Sequence, residues 1–213
     1  MFRVALTIDV EHPDRPTRPG VTEEILGALA ARDVRATAFV QGRWAQASPT
    51  LSRTLAEAGH LIGCHSHFHA RMPMLTRRGL TSDVLSATRA IVDSTGVDPR
   101  PWFRCPFGAL DRGTAVLDQL RTLGYRNVGW NVDSRDWASR GTARGTDGVA
   151  RRVIDGVRRH GDGSIVLMHG WPAPNPVAVA RIIDELRDAG ATFVTVDALD
   201  ALPSRAGWDN GPE

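Results

Sequence analysis

The chain has 213 residues, of which 42% are apolar, and its formal net charge is +2. These values are typical of one soluble globular domain, they give no indication of a nucleic-acid partner, and no run reaches the ~20 apolar residues of a membrane span. All 26 basic residues are arginine, and the absence of lysine excludes Schiff-base chemistry and a P-loop lysine.

Strand-like and helix-like segments alternate along the chain. Short apolar, β-branched runs predict strands, and apolar residues at helical spacing predict the helices between them. The predicted strands cover residues 3–8, 34–40, 60–64, 101–104, 126–130, 164–168 and 192–196. The predicted helices cover residues 22–31, 48–58, 76–94, 111–123, 148–159 and 176–189.

This alternation predicts parallel β-α-β units in a single domain of the α/β class. Seven strands favour closure into a barrel, with an open doubly wound sheet as the alternative. We expect the domain to cover residues 1–203 and residues 204–213 to form a frayed C-terminal tail. The sequence gives no indication of the oligomeric state.

Cysteine usage and the N-terminus favour the cytoplasm. Cys64 and Cys105 lack a CxxC spacing and stand in apolar or motif-like sequence, which favours buried thiols over a disulfide framework. The N-terminal apolar run reaches Asp9 before the core of a signal peptide could form. We therefore expect a cytoplasmic protein without an integral membrane segment.

Three of the seven histidines fall within five residues, at His65, His67 and His69. If this segment is helical, His65 and His69 lie one above the other and their nitrogens can converge on one metal ion. If the segment is extended, all three side chains point to one face. The spacing favours a metal-binding pair, and His67 is more easily read as a pocket or packing residue.

Polar side chains stand at or just after the carboxyl ends of five predicted strands. In an α/β barrel all parallel strands end on the same face, and that face carries the active site. We therefore expect one catalytic pocket. Its expected members are Asp9, Glu11, His65, His69, Arg104, Asp133, Asp136 and His169.

Five motifs in order give the chain a resemblance to the polysaccharide deacetylases of carbohydrate esterase family 4. The motifs are Thr7-Ile8-Asp9-Val10-Glu11, HSxxH at His65 to His69, Arg104-Cys105-Pro106-Phe107-Gly108, DxxDW at Asp133 to Trp137, and Leu167-Met168-His169. The resemblance runs from about residue 3 to residue 202. It implies that residues 1–203 form a catalytic domain with a distorted (β/α)7 barrel.

Two positions depart from the usual motifs. The family usually has two adjacent aspartates, one as base and one as metal ligand, whereas here Asp9 is followed by Val10 and then Glu11. Either Glu11 or Asp9 could be the third ligand. Phe107 stands in place of the usual tyrosine, which removes a hydroxyl but keeps the backbone N–H.

The resemblance implies a metal-dependent amide hydrolase that removes an N-acetyl or N-formyl group from an amino sugar. The metal would be zinc, with cobalt or nickel as alternatives, held by Glu11, His65 and His69. The partner would be a small amino sugar or an oligosaccharide, and the sequence does not predict which one.

The same resemblance assigns the other roles. Asp9 would be the base, kept ionised by Arg104, and His169 would be the general acid, with its pKa raised by Asp136. The metal and the backbone N–H of Phe107 would hold the developing oxyanion. The residues expected to contact the substrate are Pro106, Phe107, Asp133, Trp137 and Leu167, although Trp137 and Leu167, like Trp171, could also be core residues.

Two other functions are compatible with the sequence. A metal-independent ring amidohydrolase of the same fold is one, and the intact pair of His65 and His69 argues against it. A sugar-binding pseudoenzyme is the other. Its only support is the loss of the adjacent aspartate, and the retention of Asp9 and His169 counts against it, because binding alone requires neither.

Overall fold

The structure, a computed structural model, describes residues 1–15, 18–139 and 143–199. The strands in these ranges are β1 Phe2–Val10, β2 Thr37–Val40, β3 Leu61–Cys64, β4 Trp102–Phe103, β5 Arg126–Asn127, β6 Val132–Asp133, β7 Ser164–His169 and β8 Ala191–Val194. The helices are α1 Val21–Ala30, α2 Gly42–Ala47, α3 Pro49–Glu57, α4 Arg77–Thr95, α5 Ala115–Thr122, α6 Ala143–His160 and α7 Asn175–Asp188.

All strand pairs described are parallel, in the order β5-β4-β3-β2-β1-β7-β6. Strand β8 pairs with the first half of β1, and β2 pairs with the second half of β1 along the same edge. The span from β5 to β6 joins the two edges of the sheet, because Val128 N–H donates to Phe103 O at 2.7 Å and Asn131 N–H to Ile165 O at 3.1 Å. Counted as one position, β5 and β6 give seven strand positions, and the predicted distorted (β/α)7 barrel is confirmed.

The predicted strand over residues 126–130 is interrupted, and Asp133 lies within β6 rather than after a strand. Two asparagine side chains explain the interruption. Each accepts a hydrogen bond from a backbone N–H that would otherwise donate to a backbone oxygen of the neighbouring strand. Asn127 Oδ1 accepts from Cys105 N–H at 2.8 Å, and Asn131 Oδ1 accepts from Ile165 N–H at 2.7 Å. The short helix α2 is absent from the sequence prediction, because six residues are too few to show a helical period.

Strand β1 is buried on both faces, which explains its continuous apolar sequence. Alternate residues point to opposite sides of the sheet. Val4, Leu6 and Ile8 pack outward in the core that the helices cover. Ala5 packs inside the barrel with Phe39, Val128, Trp130, Ile165, Leu167, Val196 and Leu199. Thr7 and Asp9 follow on the inner side, so the interior becomes polar toward the carboxyl ends of the strands.

The predicted tail, residues 204–213, lies outside the described residues, so the boundary after residue 203 stays a prediction. In the part of the chain that the structure describes, no helix has both the length and the apolar content to cross a membrane.

Candidate active site

Glu11, His65 and His69 converge at the carboxyl ends of β1 and β3. Glu11 Oε2 lies 3.2 Å from His65 Nε2 and 2.6 Å from His69 Nε2. One ligand atom from each of the three residues lies within 4.8 Å of the others. One carboxylate and two imidazoles at this spacing are the donor set that catalytic zinc sites use.

A bend that is neither helix nor strand brings the two histidines together. Ser66 and His69 have left-handed φ angles of 61° and 57°, and Ser66 Oγ accepts a bond from His69 N–H at 2.9 Å. On α4, the carboxylate of Asp83 accepts from His67 N–H at 2.9 Å and from Phe68 N–H at 3.0 Å. The two conformations considered from the sequence, helix and extended strand, are therefore both replaced by a turn that a distant carboxylate stabilises.

The environment of His65 leaves one of its nitrogens available to a metal. Its Nδ1 lies 2.9 Å from the backbone oxygen of Arg104, which can only accept, so Nδ1 carries the proton. Nε2 faces Glu11 and is the nitrogen that could bind a metal ion. The bond at Nδ1 orients the ring and fixes the tautomer, as such bonds do in metal sites generally.

The carboxylates of the cluster attract positive charge. Burial opposes the charged form of His65, but Asp9 and Glu11 outweigh burial and raise the pKa of His65. Burial opposes the charged form of Glu11, yet hydrogen bonds with His12, His65 and His69 outweigh burial and hold the pKa of Glu11 well below its usual range. Burial lowers the pKa of His69, which favours the neutral imidazole that binds metal. The residues present therefore fit a divalent metal ion.

Asp9 lies beside this cluster and forms a buried ion pair with Arg104. Arg104 Nη1 donates to Asp9 Oδ1 at 2.9 Å and to Thr7 Oγ1 at 2.7 Å. The other guanidinium nitrogens donate to the backbone oxygens of Val128 and Gly129, at 3.2 and 3.1 Å. Asp9 Oδ2 lies 3.6 Å from His65 Nε2, further away than Glu11 Oε2. This geometry favours Glu11 over Asp9 as the third ligand.

His169, which is partly buried, and Asp136, which is buried, form a second ion pair near Glu11. Asp136 accepts two bonds from His169, from the backbone N–H and from Nδ1, both at 2.7 Å. His169 Nε2 lies 4.0 Å from Glu11 Oε1. Burial works against the charged imidazole, but the charge and hydrogen bond of Asp136 outweigh it and raise the pKa of His169 to about 9.

The sequence model of the polysaccharide deacetylase family matches residues 2–128. The chain belongs to this family. The chitooligosaccharide deacetylase of Sinorhizobium fredii is 34% identical over 201 residues, which are 93% of this chain and 83% of the relative. The peptidoglycan-N-acetylglucosamine deacetylase of Listeria monocytogenes is 31% identical over 197 residues, which are 92% of this chain. The chain spans only 38% of the length of that relative.

A solved structure described as T48 deacetylase with substrate superposes with a TM-score of 0.79 and 32% identity, over 96% of each chain. The resemblance inferred from the five motifs is therefore confirmed. The fold of the chain is also that of this solved relative.

The predicted substrate-contacting residues differ in their surroundings. Phe107 has a φ of 59°, is 47% exposed, and places its ring centroid 4.5 Å from that of His69. The preceding Pro106 is buried. Trp137 is 55% exposed and follows Asp136 directly in the chain. Leu167 is buried in the barrel interior, two residues before His169.

Asp133 stands at the end of β6 and is partly buried. Its Oδ1 accepts a bond from Arg135 N–H at 2.8 Å. Burial is the main cause of the raised pKa of Asp133. The charges of Asp136 and His169 also act on Asp133, so Asp133 lies near that pair. Its contact with substrate stays a prediction.

Three further residues contact the site or its neighbours, and the sequence analysis did not assign them a site role. His12 has a φ of 58°, and its Nε2 lies 3.0 Å from Glu11 Oε1. Gln41 Oε1 accepts a bond from His12 N–H at 2.8 Å. Asn175 Nδ2 donates to Asp136 Oδ2 and to His169 O. Only the adjacency of His12 to Glu11 was visible in the sequence, because the other two lie on distant segments.

Proposed function

We propose that this polysaccharide deacetylase is a metal-dependent hydrolase that removes the N-acetyl, or N-formyl, group of an amino-sugar substrate. The observation that carries the proposal is the placement of two acid–base groups, Asp9 and His169, next to one donor set. Asp9 lies 3.6 Å from His65, and His169 lies 4.0 Å from Glu11. The names of the relatives support the reaction, since they are deacetylases of chitooligosaccharide and of peptidoglycan N-acetylglucosamine.

A divalent cation held by Glu11, His65 and His69 would lower the pKa of a water molecule and polarise the carbonyl oxygen of the acyl group. We take zinc as the expected ion, with cobalt or nickel as alternatives. The protein residues account for the proton transfers on each side of that group.

Asp9 is the proposed general base. Its Oδ1 is occupied by Arg104 at 2.9 Å, which leaves Oδ2, on the side of His65, to accept a proton from the attacking water. The buried guanidinium compensates the negative charge of Asp9 and leaves Oδ2 available to accept the proton of the water. The backbone N–H of Phe107 would donate to the carbonyl oxygen as negative charge develops there.

His169 is the proposed general acid. Its Nδ1–H is bound to Asp136, so the transferable proton is on Nε2, the nitrogen that faces Glu11. With a pKa of about 9, the imidazole carries that proton at neutral pH. Nε2 can therefore protonate the leaving amine, which would otherwise depart as a strongly basic anion.

The two alternative functions have weaker support. A ring amidohydrolase without metal has no use for three donor atoms within 4.8 Å. A sugar-binding pseudoenzyme has no use for two buried charge pairs, Asp9 with Arg104 and Asp136 with His169, which cost desolvation energy.

The test compares apo and reconstituted enzyme. We would remove metal with a chelator, restore it with zinc, cobalt or nickel, and measure acetate released from N,N′-diacetylchitobiose. Full loss on chelation and recovery at about one metal per chain is the expected result. Acetate release that survives chelation and persists in His65→Ala would refute the metal dependence. Hydrolysis of a cyclic amide without metal and without acetate release from the disaccharide would favour the ring amidohydrolase. Sugar binding without acetate release would favour the pseudoenzyme.

A further inference from the structure

Arg15 is held flat against an aromatic ring that contacts a proposed metal ligand. Its guanidinium carbon lies 3.9 Å from the centroid of Trp171. Trp171 Nε1–H donates to Glu11 Oε1 at 3.3 Å. One indole ring therefore separates the charge of Arg15 from the donor set.

Arg71 repeats this arrangement beside another of the proposed ligands. Its guanidinium carbon lies 4.4 Å from the ring centroid of Phe107, and Phe107 lies 4.5 Å from the ring of His69. Arg71 comes from the segment after β3 and Arg15 from the segment after β1. Two arginines from separate loops thus stand one aromatic ring away from the same three ligands.

Three carboxylates around the site form ion pairs with other cationic side chains. Asp14, in the wall of a cavity of about 420 Å3 beside His69, pairs with Arg43 at 2.8 Å. Asp9 pairs with Arg104, and Asp136 with His169. Arg15 lines the same cavity. Across the described ranges, no carboxylate forms an ion pair with Arg15 or Arg71.

Stacking prepares a guanidinium to bind an anion. A ring against its face restricts the side chain but leaves the N–H groups at its edge free to donate in the plane, and these match the oxygens of a carboxylate or phosphate. Both arginines are exposed, so with a neutral sugar their charges are compensated only by solvent, whereas an anionic group on the sugar would pair with them directly.

We propose that the N-acylated sugar carries an anionic group, a carboxylate or a phosphate, and that Arg15 and Arg71 bind it. This inference rests on the proposed function. It predicts that the enzyme prefers an anionic amino sugar to a neutral one of similar size, and that the preference is weakened by salt.

The experiment measures kcat/KM of the zinc-loaded chain on three substrates. N,N′-diacetylchitobiose is neutral, the disaccharide of N-acetylglucosamine and N-acetylmuramic acid carries a carboxylate, and N-acetylglucosamine 1-phosphate carries a phosphate. We expect wild type to favour one anionic substrate over the neutral one by at least about tenfold, because a charge-assisted hydrogen bond contributes about that factor. The favoured substrate identifies the anion.

The variants are Arg15→Gln and Arg71→Gln, which remove charge and keep a planar polar group. Each should reduce the ratio of anionic to neutral kcat/KM by about tenfold, mainly through KM. Arg126→Gln is the matched control, because Arg126 also stacks on a tryptophan, Trp102, at 5.3 Å but at the amino-terminal ends of β4 and β5. The control should keep the wild-type ratio.

Equal kcat/KM on neutral and anionic substrates, or a ratio unchanged in both arginine variants, would overturn the inference. Failure of the proposed function looks different, since none of the three substrates would then release acetate. In that case calorimetry with the same two anionic sugars decides: binding that Arg15→Gln or Arg71→Gln weakens supports the anion site, and binding that neither weakens, or no binding, refutes it.

Discussion

Asp136→Asn tests the proposed acid most directly, because Asp136 is the main reason that His169 holds a proton. The substitution removes the negative charge that lies 2.7 Å from His169 Nδ1. It also replaces one acceptor oxygen of the carboxylate by an NH2 group, which can only donate. Asp136 Oδ2 accepts bonds from His169 N–H and Asn175 Nδ2, so the carbonyl of the introduced asparagine takes that place and its NH2 faces Nδ1. Nδ1 must then be unprotonated.

The magnitude follows from the pKa of His169. The increase from 6.5 to about 9 corresponds to roughly 3 kcal/mol in favour of the protonated imidazole. An acid acts only while protonated, so its contribution is present below this pKa and is lost as pH rises through it. A bound cation would repel the imidazolium, which puts the wild-type alkaline limb at or below about 9.

In Asp136→Asn the charges of Glu11 and Asp9 still oppose burial, but the largest contribution in favour of the charged imidazole is lost, so the pKa of His169 falls from about 9 toward its ordinary 6.5 and the alkaline limb moves to lower pH. At pH 8 the protonated fraction drops by up to about thirtyfold, and at pH 6 the loss is much smaller. The assay is the pH profile of kcat/KM on N,N′-diacetylchitobiose, with zinc content as the control. A profile that keeps its shape and only falls in height would refute the role assigned to Asp136.

Four further substitutions separate the remaining roles. Glu11→Gln should lose zinc in elemental analysis, while Asp9→Asn should keep zinc and lose turnover; the reverse would make Asp9 the ligand. His169→Ala should lose at least about tenfold more kcat/KM on the sugar amide than on an aryl acetate, whose phenolate leaves without a proton, and equal losses would assign His169 to another step. Arg104→Met should cost about 3–5 kcal/mol in chemical denaturation because it leaves Asp9 buried and unpaired, and a stability near that of wild type would contradict the ion pair.

Local patterns in the sequence were sufficient to predict the positions of the main site residues. The apolar run of β1 ends in Asp9, and period two puts Asp9 on the inner face with Ala5 and Thr7. Parallel strands then bring the residues after β1, β3, β4 and β7 to the same end of the barrel. The alternation of strands and helices therefore predicts both the fold and the end of the barrel at which these residues meet.

The shape of the histidine turn could not be predicted in the same way. It requires left-handed φ at Ser66 and His69, where no glycine signals such a conformation. It also requires Asp83, a residue that reads as part of a helix surface but whose carboxylate binds the N–H groups of His67 and Phe68. A contact between distant segments leaves no periodic pattern in either segment.

The replacement of the usual second aspartate by Val10 has a structural explanation. Strand β1 continues through Val10, which is 1% exposed and packs in the outer core. A Cβ on Gly170 would lie 2.9 Å from Val10 Cγ1, so this contact is tight. With Val10 on the outer side, period two puts Asp9 and Glu11 together on the inner side. The carboxylate ligand is therefore expected two positions after Asp9 rather than one.

This explanation makes a last prediction. Val10→Asp should not supply a metal ligand, but should bury an unpaired carboxylate in the outer core and cost several kcal/mol relative to the near-isosteric control Val10→Thr. Burial would raise the pKa of the introduced group, so the cost is full above that pKa and decreases as pH falls and the group is protonated. Thermal melts of both variants at pH 7 and pH 5 measure this difference. If Val10→Asp instead restored zinc binding to Glu11→Gln without loss of stability, residue 10 would face the site and the alternation argued for β1 would be wrong.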